Sequence, residues 1–385
     1  MKVLKLITKN AGRHKLRTAL TVLGLALAVM AFGLIRTFIF AWYAGERTAS
    51  PDRLVTRHTV SVVFTLPIAY EEQILLMPGV KDITFGAWFG GIYIDEKNFF
   101  PQFAVQANSF FRVYPEYLVP PDQMKAFLED RRGAIVGQGL VDRYGWKIGD
   151  QITLVGTIYP GDWPFVIRGI YHGANPDVDE TTFIFDFAYV DERMKQETPI
   201  RAGQIGWYVL KIDDPSHAGE IGAKIDAKYE NSWAATKTET EKEFALTFIQ
   251  MWGTIIVGLR IASYLIIGVI FLVLANTMAM TARERVSEYA FMRTLGFRGY
   301  HLIGLILGES IFIGVIGGLV GMIFLGMVGR GAGVALSQIF PGFTVQLMTY
   351  LGSLLTAVII GFAASIFPIA RALRINIVDG LRVVD

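Results

Sequence analysis

Side chains that could carry out chemistry are few and scattered in this sequence. Cysteine is absent, which excludes thiolate metal sites, disulfides and cysteine nucleophiles. The five histidines lack metal-ligand spacing, and no His-Glu-x-x-His motif occurs. Asp177, Asp179 and Glu180 come nearest to a cation site, but the glycine and distal glutamate of a calcium loop are missing, which favours a solvated acidic loop. The sequence therefore predicts no catalytic set and no metal site.

Glycine-rich stretches indicate helix packing, not nucleotide binding. Residues 137–139 and 329–331 lack the strand–turn–helix context of a dinucleotide loop, and no Gly-x-x-x-x-Gly-Lys-Ser/Thr motif occurs. Beyond residue 300, however, glycines recur four apart in an apolar segment. On a helix such glycines share one face and let a second backbone approach. The predicted helix-packing residues are Gly304, Gly308, Gly314, Gly317, Gly318 and Gly321.

Three charged residues interrupt apolar segments: Arg36, Arg260 and Glu309. A charge inside a membrane is costly and marks a functional candidate. Both arginines fall near the outer ends of their segments, where a long side chain reaches water. Glu309 lies deeper, and two interpretations stay open: a structural role, with a hydroxyl or an arginine as its partner, and a substrate role. No chain of acids follows it, which disfavours a proton relay.

The elements that must position these residues are four apolar segments. The chain is 52% hydrophobic and 18% charged, against about 25% charged in soluble domains. A spanning helix needs about 20 apolar residues. A secretory signal is the competing interpretation of the first segment, but its apolar core of about 7–15 residues is shorter than this run. The predicted spans are residues 18–43, 250–280, 300–328 and 350–369.

Lys and Arg in the short flanking segments predict the orientation. Residues 1–17 carry six Lys/Arg and no acid, and residues 281–299 carry four arginines, whereas residues 329–349 carry Arg330 alone. We therefore expect both termini, including the tail 370–385, and the 281–299 segment to face the cytoplasm. The basic and apolar N-terminal segment is expected to lie along the membrane surface. The 46–245 region and the 329–349 loop are then outside.

Between the first two spans the pattern changes to short β-rich runs separated by Gly, Pro and Asp. The sequence thus predicts a membrane protein with four transmembrane α-helices and a large α+β extracytoplasmic domain inserted between the first and second. Aromatic residues around Trp88 and Phe100 are expected to pack in its core. The predicted strands are 60–66, 103–107, 134–136, 151–155, 164–170, 183–187 and 206–212, and the predicted helices are 70–77, 121–129, 138–144 and 216–230.

Several stretches along the chain carry recognisable motifs. They are residues 13–24, 134–137 with 146–152, 276–285 followed by Glu288 and by Arg293-Thr294-Leu295-Gly296, 307–310, and 368–371 with 376–382. Together they resemble the FtsX-like permease module of the MacB/LolC class of ABC transporters, the type VII mechanotransmission class. The order of these motifs is more specific than any one of them. The last motif departs from the family pattern at Asn376 and Gly380.

The resemblance implies a permease subunit that has no ATPase motif or cofactor of its own. ATP and Mg would be bound by two copies of a cytoplasmic ABC ATPase, and the permease would pair with a second copy or a paralogue in the bacterial inner membrane. The family also suggests a periplasmic or outer-membrane partner and contact with membrane lipid, but no nucleic acid. The residues implied at the ATPase contact are Arg285, Glu288, Arg293, Thr294, Leu295 and Gly296. Alternatively, these charges are positive-inside anchors that face water and lipid headgroups.

The function implied is ATP-driven motion of the outer domain that exports or extracts a lipid, lipoprotein, peptide or drug. The alternative is a non-transporting signal transmitter that regulates a periplasmic or cell-wall partner. An outer domain of about 200 residues favours export, because the transmitter members of the family have smaller ones. A membrane enzyme is a third class, for which the sequence offers no catalytic constellation.

Overall fold

The computed structural model describes residues 15–251, 253–336 and 343–374. These residues form two compact units: a membrane unit, made of residues 15–41, 253–335 and 343–374, and an outer unit of residues 42–251 with residue 336. The predicted surface segment before residue 15 and the tail beyond residue 374 lie outside the described residues. In chain order the α-helices of the described residues are α1 Lys15–Trp42, α2 Ala44–Thr48, α3 Tyr70–Leu75, α4 Ala107–Val113, α5 Pro121–Glu129, α6 Gln138–Tyr144, α7 Phe187–Glu197, α8 Ala218–Tyr229, α9 Glu241–Met251, α10 Gly253–Glu284, α11 Val286–Thr294, α12 Gly299–Leu336 and α13 Leu347–Leu373.

Four of these helices, α1, α10, α12 and α13, are long and apolar enough to cross a membrane. All of their ends differ from the predicted spans, most of all at the end of α12. Residues 329–336 continue α12 and residues 347–349 begin α13, so most of the described residues of the predicted 329–349 loop are helical. The extension is packed: a side chain at Gly329 would meet Val345, and one at Gly333 would meet the Phe343 carbonyl.

The fourth helix also continues past Pro368 to Leu373, beyond the predicted end at residue 369. Proline is expected to end a helix because it lacks an N–H donor. In a bundle of apolar helices, however, neighbouring groups can satisfy the freed carbonyl, and proline is tolerated. Pro368 is buried in α13 accordingly.

The membrane unit is held together by one apolar cluster that draws residues from all four long helices. The helices α10 and α13 lie against each other, and α12 contacts both α1 and α13. The cluster includes Leu25, Leu274, Met278, Ile306, Ala357, Ile360 and Ala364.

In the outer unit, the described residues form a mixed sheet of eleven strands in the order β13-β1-β12-β3-β5-β10-β7-β9-β8-β4, with β6 paired to β9, and a two-stranded sheet β11-β2. The pairs β5–β10 and β7–β9 are parallel, and the others are antiparallel. The strands are β1 Arg53–His58, β2 Leu66–Pro67, β3 Val80–Trp88, β4 Gly91–Ile92, β5 Gln102–Val105, β6 Tyr117–Leu118, β7 Gly133–Gly137, β8 Gln151–Gly156, β9 Gly161–Gly173, β10 Phe183–Asp186, β11 Gln204–Ile205, β12 Trp207–Ile212 and β13 Thr236–Thr240.

Alternation of buried and exposed residues explains why several strands of this sheet can be recognised in the sequence. Along β8 and β9 every second residue is buried, so one face packs on the core and the other meets water. The core itself is aromatic, and Phe89, Phe165 and Phe185 stack edge-on or tilted within 6.1 Å of one another. Phe89 and Phe100 are core residues, as expected from sequence.

The predicted strand at 60–66 is wrong. Residues 59–65 form turns in which Val60 and Val63 are exposed, and the strand precedes them as β1. The sequence patterns also missed several other elements, among them the strands β3 and β13 and the helices α4 and α7.

Candidate functional site

The short helix α11 joins α10 to α12 and contains or borders every residue predicted to contact an ATPase. It is separated from α10 by Arg285, whose backbone departs from helical geometry (φ −107°, ψ 17°). At its other end, Gly296 adopts a left-handed conformation (φ 87°). There the Gly296 N–H donates to the Arg293 carbonyl and the Phe297 N–H to the Met292 carbonyl, both at 3.1 Å. This pattern of hydrogen bonds is a Schellman helix terminus, which requires glycine at that position.

One face of α11 packs into the membrane unit. Tyr289 and Ala290 are buried, and Tyr289 belongs to the same apolar cluster as Leu274 and Ile306. The opposite face is exposed and apolar: Phe291 is 56% exposed and Leu295 63%. Phe297, just beyond the terminus, is also exposed. The helix is therefore fixed on one side and presents large apolar side chains on the other.

Arg285 does not lie on the exposed face. Its guanidinium donates to the Glu309 carboxylate at 2.8 Å, and both residues are only 6% exposed. The side chain of Arg285 therefore points into the bundle, where Glu309 of α12 is a buried charge that needs a partner. An ATPase contact through Arg285 stays a prediction that no observation here supports. Of the interpretations that were open for Glu309, the arginine-paired structural role is the one the structure shows.

The residue before Arg285 makes an ion pair in a different direction. Glu284, at the end of α10, accepts two hydrogen bonds from the Arg17 guanidinium of α1, at 2.7 and 2.9 Å. Further along the same two helices, the hydroxyl oxygens of Thr21 and Thr277 lie 3.4 Å apart. Sequence reasoning did not find a role for Arg17 or Glu284. Such a pair has no local sequence signal, since its members are 267 residues apart.

The remaining predicted contact residues lie at or near the surface of α11. Glu288 and Arg293 are half-buried, and Thr294, Leu295 and Gly296 are exposed. The Thr294 hydroxyl donates to the Phe291 carbonyl at 2.7 Å, so it caps its own helix. An ATPase contact through these five residues stays a prediction.

The helix-packing glycines divide between two neighbours instead of sharing one face. A side chain at Gly317 or Gly321 would meet α1, whereas one at Gly314 or Gly318 would meet α13. The helix α12 is thus narrow on two sides, and α1 and α13 approach it from both. Gly304 is exposed, and a Cβ added there would have no atom of the described residues within 4 Å, so the packing role expected for it stays a prediction. Gly308 is half-buried.

A second cluster of charges lies in the outer unit, where the chain enters at α2 and leaves at α9. Arg53 of β1 is buried, and it binds Glu116 and Glu241, each at 2.7 Å, and the Val113 carbonyl at 3.2 Å. Burial opposes its charge, but the hydrogen bond with Glu116 and the charge of Glu241 raise the pKa of Arg53 above its usual value. Arg53 therefore ties the first residue of α9 to the body of the outer unit. We call Arg53, Glu116 and Glu241 the neck cluster.

The acidic loop is not fully solvated, contrary to the sequence interpretation. Asp179 accepts hydrogen bonds from the Thr181 N–H and hydroxyl, both at 2.7 Å, and burial raises the pKa of its carboxyl. Asp177 pairs with Arg47 at 3.3 Å. Among the residues that the structure describes, no group of three His, Asp or Glu could hold a metal ion.

Both parts of the chain match known protein families. Residues 18–228 match the family model of the MacB-like periplasmic core domain, and residues 260–377 match the FtsX-like permease C-terminal model. The chain belongs to the FtsX-like permeases that carry a MacB-like periplasmic domain. This confirms the resemblance seen in the sequence and the predicted fold class.

The relatives are ABC permeases. An ABC transporter permease of Methanocaldococcus jannaschii is 21% identical over 99% of this chain and 98% of its own length. The lipoprotein-releasing system protein LolE of Haemophilus influenzae is 24% identical over 52% of this chain and 48% of its own. The pyoverdine export ATP-binding/permease protein PvdT of Pseudomonas savastanoi is 33% identical, but this match covers 28% of the chain and 16% of that protein.

Among solved structures, the periplasmic region of MacB from Actinobacillus actinomycetemcomitans matches 52% of this chain and 94% of its own, with 9% identity and a TM-score of 0.37. The permease is thus an ABC transporter permease of the MacB/LolC/FtsX type, a multi-pass membrane protein with an extracytoplasmic domain. Membership of this family implies a cytoplasmic ATPase partner.

Proposed function

We propose that this permease couples ATP hydrolysis by a separate cytoplasmic ATPase to motion of its outer unit, and thereby exports or extracts a lipid, lipoprotein, peptide or drug. The observation that carries the proposal is the geometry of α11. A nine-residue helix is anchored in the membrane unit by one face and exposes Phe291 and Leu295 on the other. Large apolar side chains exposed together are typical of a protein interface.

The orientation proposed from charge places α11 and both termini in the cytoplasm of a bacterial cell, with the permease in the inner membrane. In that orientation the exposed face of α11 meets water, where uncovered Phe291 and Leu295 are unfavourable. A protein partner that buries about 100 Å² of apolar surface from these side chains would contribute roughly 2–3 kcal/mol of hydrophobic free energy. The half-buried Glu288 and Arg293 would supply charge complementarity at the rim.

The proposed assembly contains two ATPase subunits and a second permease, either a copy of this chain or a paralogue. Helix α10 supports a second permease, because only 11% of its central residues are buried, against 33% in α1 and α12. ATP and Mg would be bound by the ATPase, and we propose no cofactor and no ATPase activity for this chain. A periplasmic or outer-membrane partner and membrane lipid are further proposed contacts.

Export is preferred over signal transmission because the names of several relatives denote release or export: of lipoprotein for LolE, of pyoverdine for PvdT and of macrolide for a MacB protein of Nitrobacter winogradskyi. If the permease instead regulates a cell-wall enzyme, that enzyme and no small molecule or lipid would be recovered with it.

Purification of the tagged permease from its native membrane in mild detergent tests the ATPase contact. Leu295→Asp places a charge on the exposed face of α11, and Leu118→Asp makes the same change at a residue of the outer unit that is 51% exposed. We expect an ABC ATPase to accompany the native chain and the Leu118 variant and to be lost from the Leu295 variant. An ATPase that stays bound to Leu295→Asp would refute the contact, and its absence from all three preparations would refute the coupling function.

A further inference from the structure

The junction between α10 and α11 is held by two ion pairs that point to different helices. Glu284 is the last residue of α10 and binds Arg17 of α1. The next residue, Arg285, precedes α11 and binds Glu309 of α12. Two consecutive residues thus tie one helix break to both neighbouring helices.

We propose that these pairs form a two-sided clamp that sets the direction of α11, and that Arg285 and Glu309 are positioning residues for the ATPase contact. This inference rests on the proposed function for the contact itself. We call the four residues Arg17, Glu284, Arg285 and Glu309 the junction clamp. The clamp assigns Arg285 a role inside the permease that differs from direct binding of the ATPase.

The helix break explains why a clamp is needed. A continuous helix fixes the direction of its last turn through its backbone hydrogen bonds, but the backbone at Arg285 interrupts this ladder. The direction of α11 then depends on side-chain contacts. Tyr289 and Ala290 supply apolar contacts, which are not directional, and the Tyr289 hydroxyl adds a hydrogen bond with Arg285, a member of the clamp itself. An arginine–carboxylate pair has a preferred geometry and therefore adds the directional restraint.

The two halves of the clamp differ in strength because they differ in burial. In the Arg285–Glu309 pair the side chains are 7% and 8% exposed, so separation would leave a buried charge without this partner. In the Arg17–Glu284 pair they are 28% and 35% exposed, so water and salt weaken the attraction. The Arg285–Glu309 pair is therefore the permanent attachment to α12, whereas the Arg17–Glu284 pair to α1 is the one that can open.

The two ion pairs connect α11 mechanically to the long helices of the membrane unit. Because α11 is attached to α12 by the buried pair, and the end of α10 that precedes it is attached to α1 by the exposed pair, a push on α11 is delivered to three long helices together. If the exposed pair opens, α1 no longer follows. The junction clamp therefore determines which helices move with the ATPase.

The absence of cysteine makes a direct measurement of the clamp possible, since two introduced cysteines are the only labelling sites. Spin labels at Thr294→Cys on α11 and Leu20→Cys on α1, both exposed, report the distance between these helices by pulsed electron paramagnetic resonance. The label pair is introduced into the full-length permease with the junction clamp intact, into Arg285→Glu and Glu309→Arg separately, and into the double charge swap Arg285→Glu/Glu309→Arg.

We expect each single reversal to shift or broaden the distance distribution and the charge swap to restore it. ATP hydrolysis by the co-purified ATPase should fall at least about fivefold in the single variants and recover in the swap, which a direct Arg285–ATPase contact would not allow. Unchanged distances in both single variants, or a folded swap that stays as altered as they are, would overturn the clamp.

The Arg17–Glu284 pair provides a second test if the Arg285→Glu and Glu309→Arg variants do not fold. In Glu284→Gln we expect a broadened distance distribution at low salt. In the intact permease we expect a broadening in the same direction when salt is raised to about 1 M, where the screening length falls to about 3 Å. A label distance that changes neither with salt nor in Glu284→Gln would overturn the proposal that the Arg17–Glu284 pair can open. If no ATPase accompanies the intact permease, the proposed function fails, while the label distances still decide the clamp.

Discussion

The helices α12 and α1 approach closely at Gly321, and this approach yields a quantitative prediction for Gly321→Ala. A Cβ atom at Gly321 would lie 2.7 Å from the Ala26 carbonyl oxygen and 2.8 Å from the Val29 Cβ. Real Cβ atoms essentially never approach other heavy atoms within 3.0 Å. Since one of these neighbours is backbone, the contact can be relieved only if α1 moves away from α12.

Two opposing effects set the change in the free energy of unfolding caused by Gly321→Ala. Alanine favours a helix over glycine by about 1 kcal/mol, because glycine loses more backbone entropy. Overpacking by one methyl group in a close-packed interface costs about 1–3 kcal/mol. The contact involves backbone, so the upper part of this range applies, and the net expectation is a loss of roughly 1–2 kcal/mol.

Gly304→Ala is the matched control, because it makes the same chemical change on the same helix with no atom within 4 Å of the new Cβ. We expect this variant to be unchanged or more stable by up to about 1 kcal/mol. Gly314→Ala tests the other side of α12, where the new Cβ would lie 2.9 Å from the Ala357 carbonyl oxygen. We expect Gly314→Ala to lose stability as Gly321→Ala does.

The assay is unfolding of the full-length permease in detergent, followed by steric trapping or by the loss of helical circular dichroism on titration with dodecyl sulfate. The three variants are compared with the native chain under one condition. Equal stability of Gly321→Ala and Gly304→Ala would refute the reasoning, because it would mean that the close approach of α1 to α12 does not matter for stability.

Further predictions concern the neck cluster, the end of α11 and the outer unit at low pH. Arg53→Met should destabilise the outer unit by about 3–5 kcal/mol, since it leaves Glu241 part-buried without this partner, and thermal denaturation that matches the native chain would contradict this. Gly296→Ala should raise amide hydrogen exchange along α11, because a left-handed alanine costs about 1–2 kcal/mol, and unchanged exchange would argue against the Schellman terminus. Asp82 has a lowered pKa, chiefly through its hydrogen bonds from Arg112, so its stabilisation is present above the unfolded pKa of about 3.9 and is lost as pH falls below that value. Asp82→Asn should therefore weaken the dependence of thermal stability on pH between about pH 5 and pH 3, and an unaltered dependence would exclude this pair as its source.

Local patterns were enough to predict much of the fold. The bilayer requires long apolar helices, so each of the four long helices could be predicted from hydropathy. In the outer unit, α6 occupies the predicted residues 138–144, because a buried leucine and a glycine stop at Gly145 (φ 69°) are local signals. The alternation along β8 is local in the same sense.

The misassigned strand shows where local patterns fail. The strand β1 carries Arg53 and Arg57, both buried, so its sequence does not look like a core strand. Their partners Glu239 and Glu241 follow more than 180 residues later. The apolar run at 60–66 resembled a strand more closely, although the structure leaves much of it exposed.

The sequence by itself determined that this protein crosses a membrane four times, that a mixed domain follows the first span, and which family the chain belongs to. Tertiary structure alone decided the rest. Only the packed helices show that Arg285 binds Glu309, that Glu284 binds Arg17, and that the glycines of α12 serve two neighbours. The physical reason is that hydropathy and alternation are set by each segment's own contact with lipid or water. The partner of a buried charge, or the neighbour of a glycine face, depends on which distant segments the fold brings together.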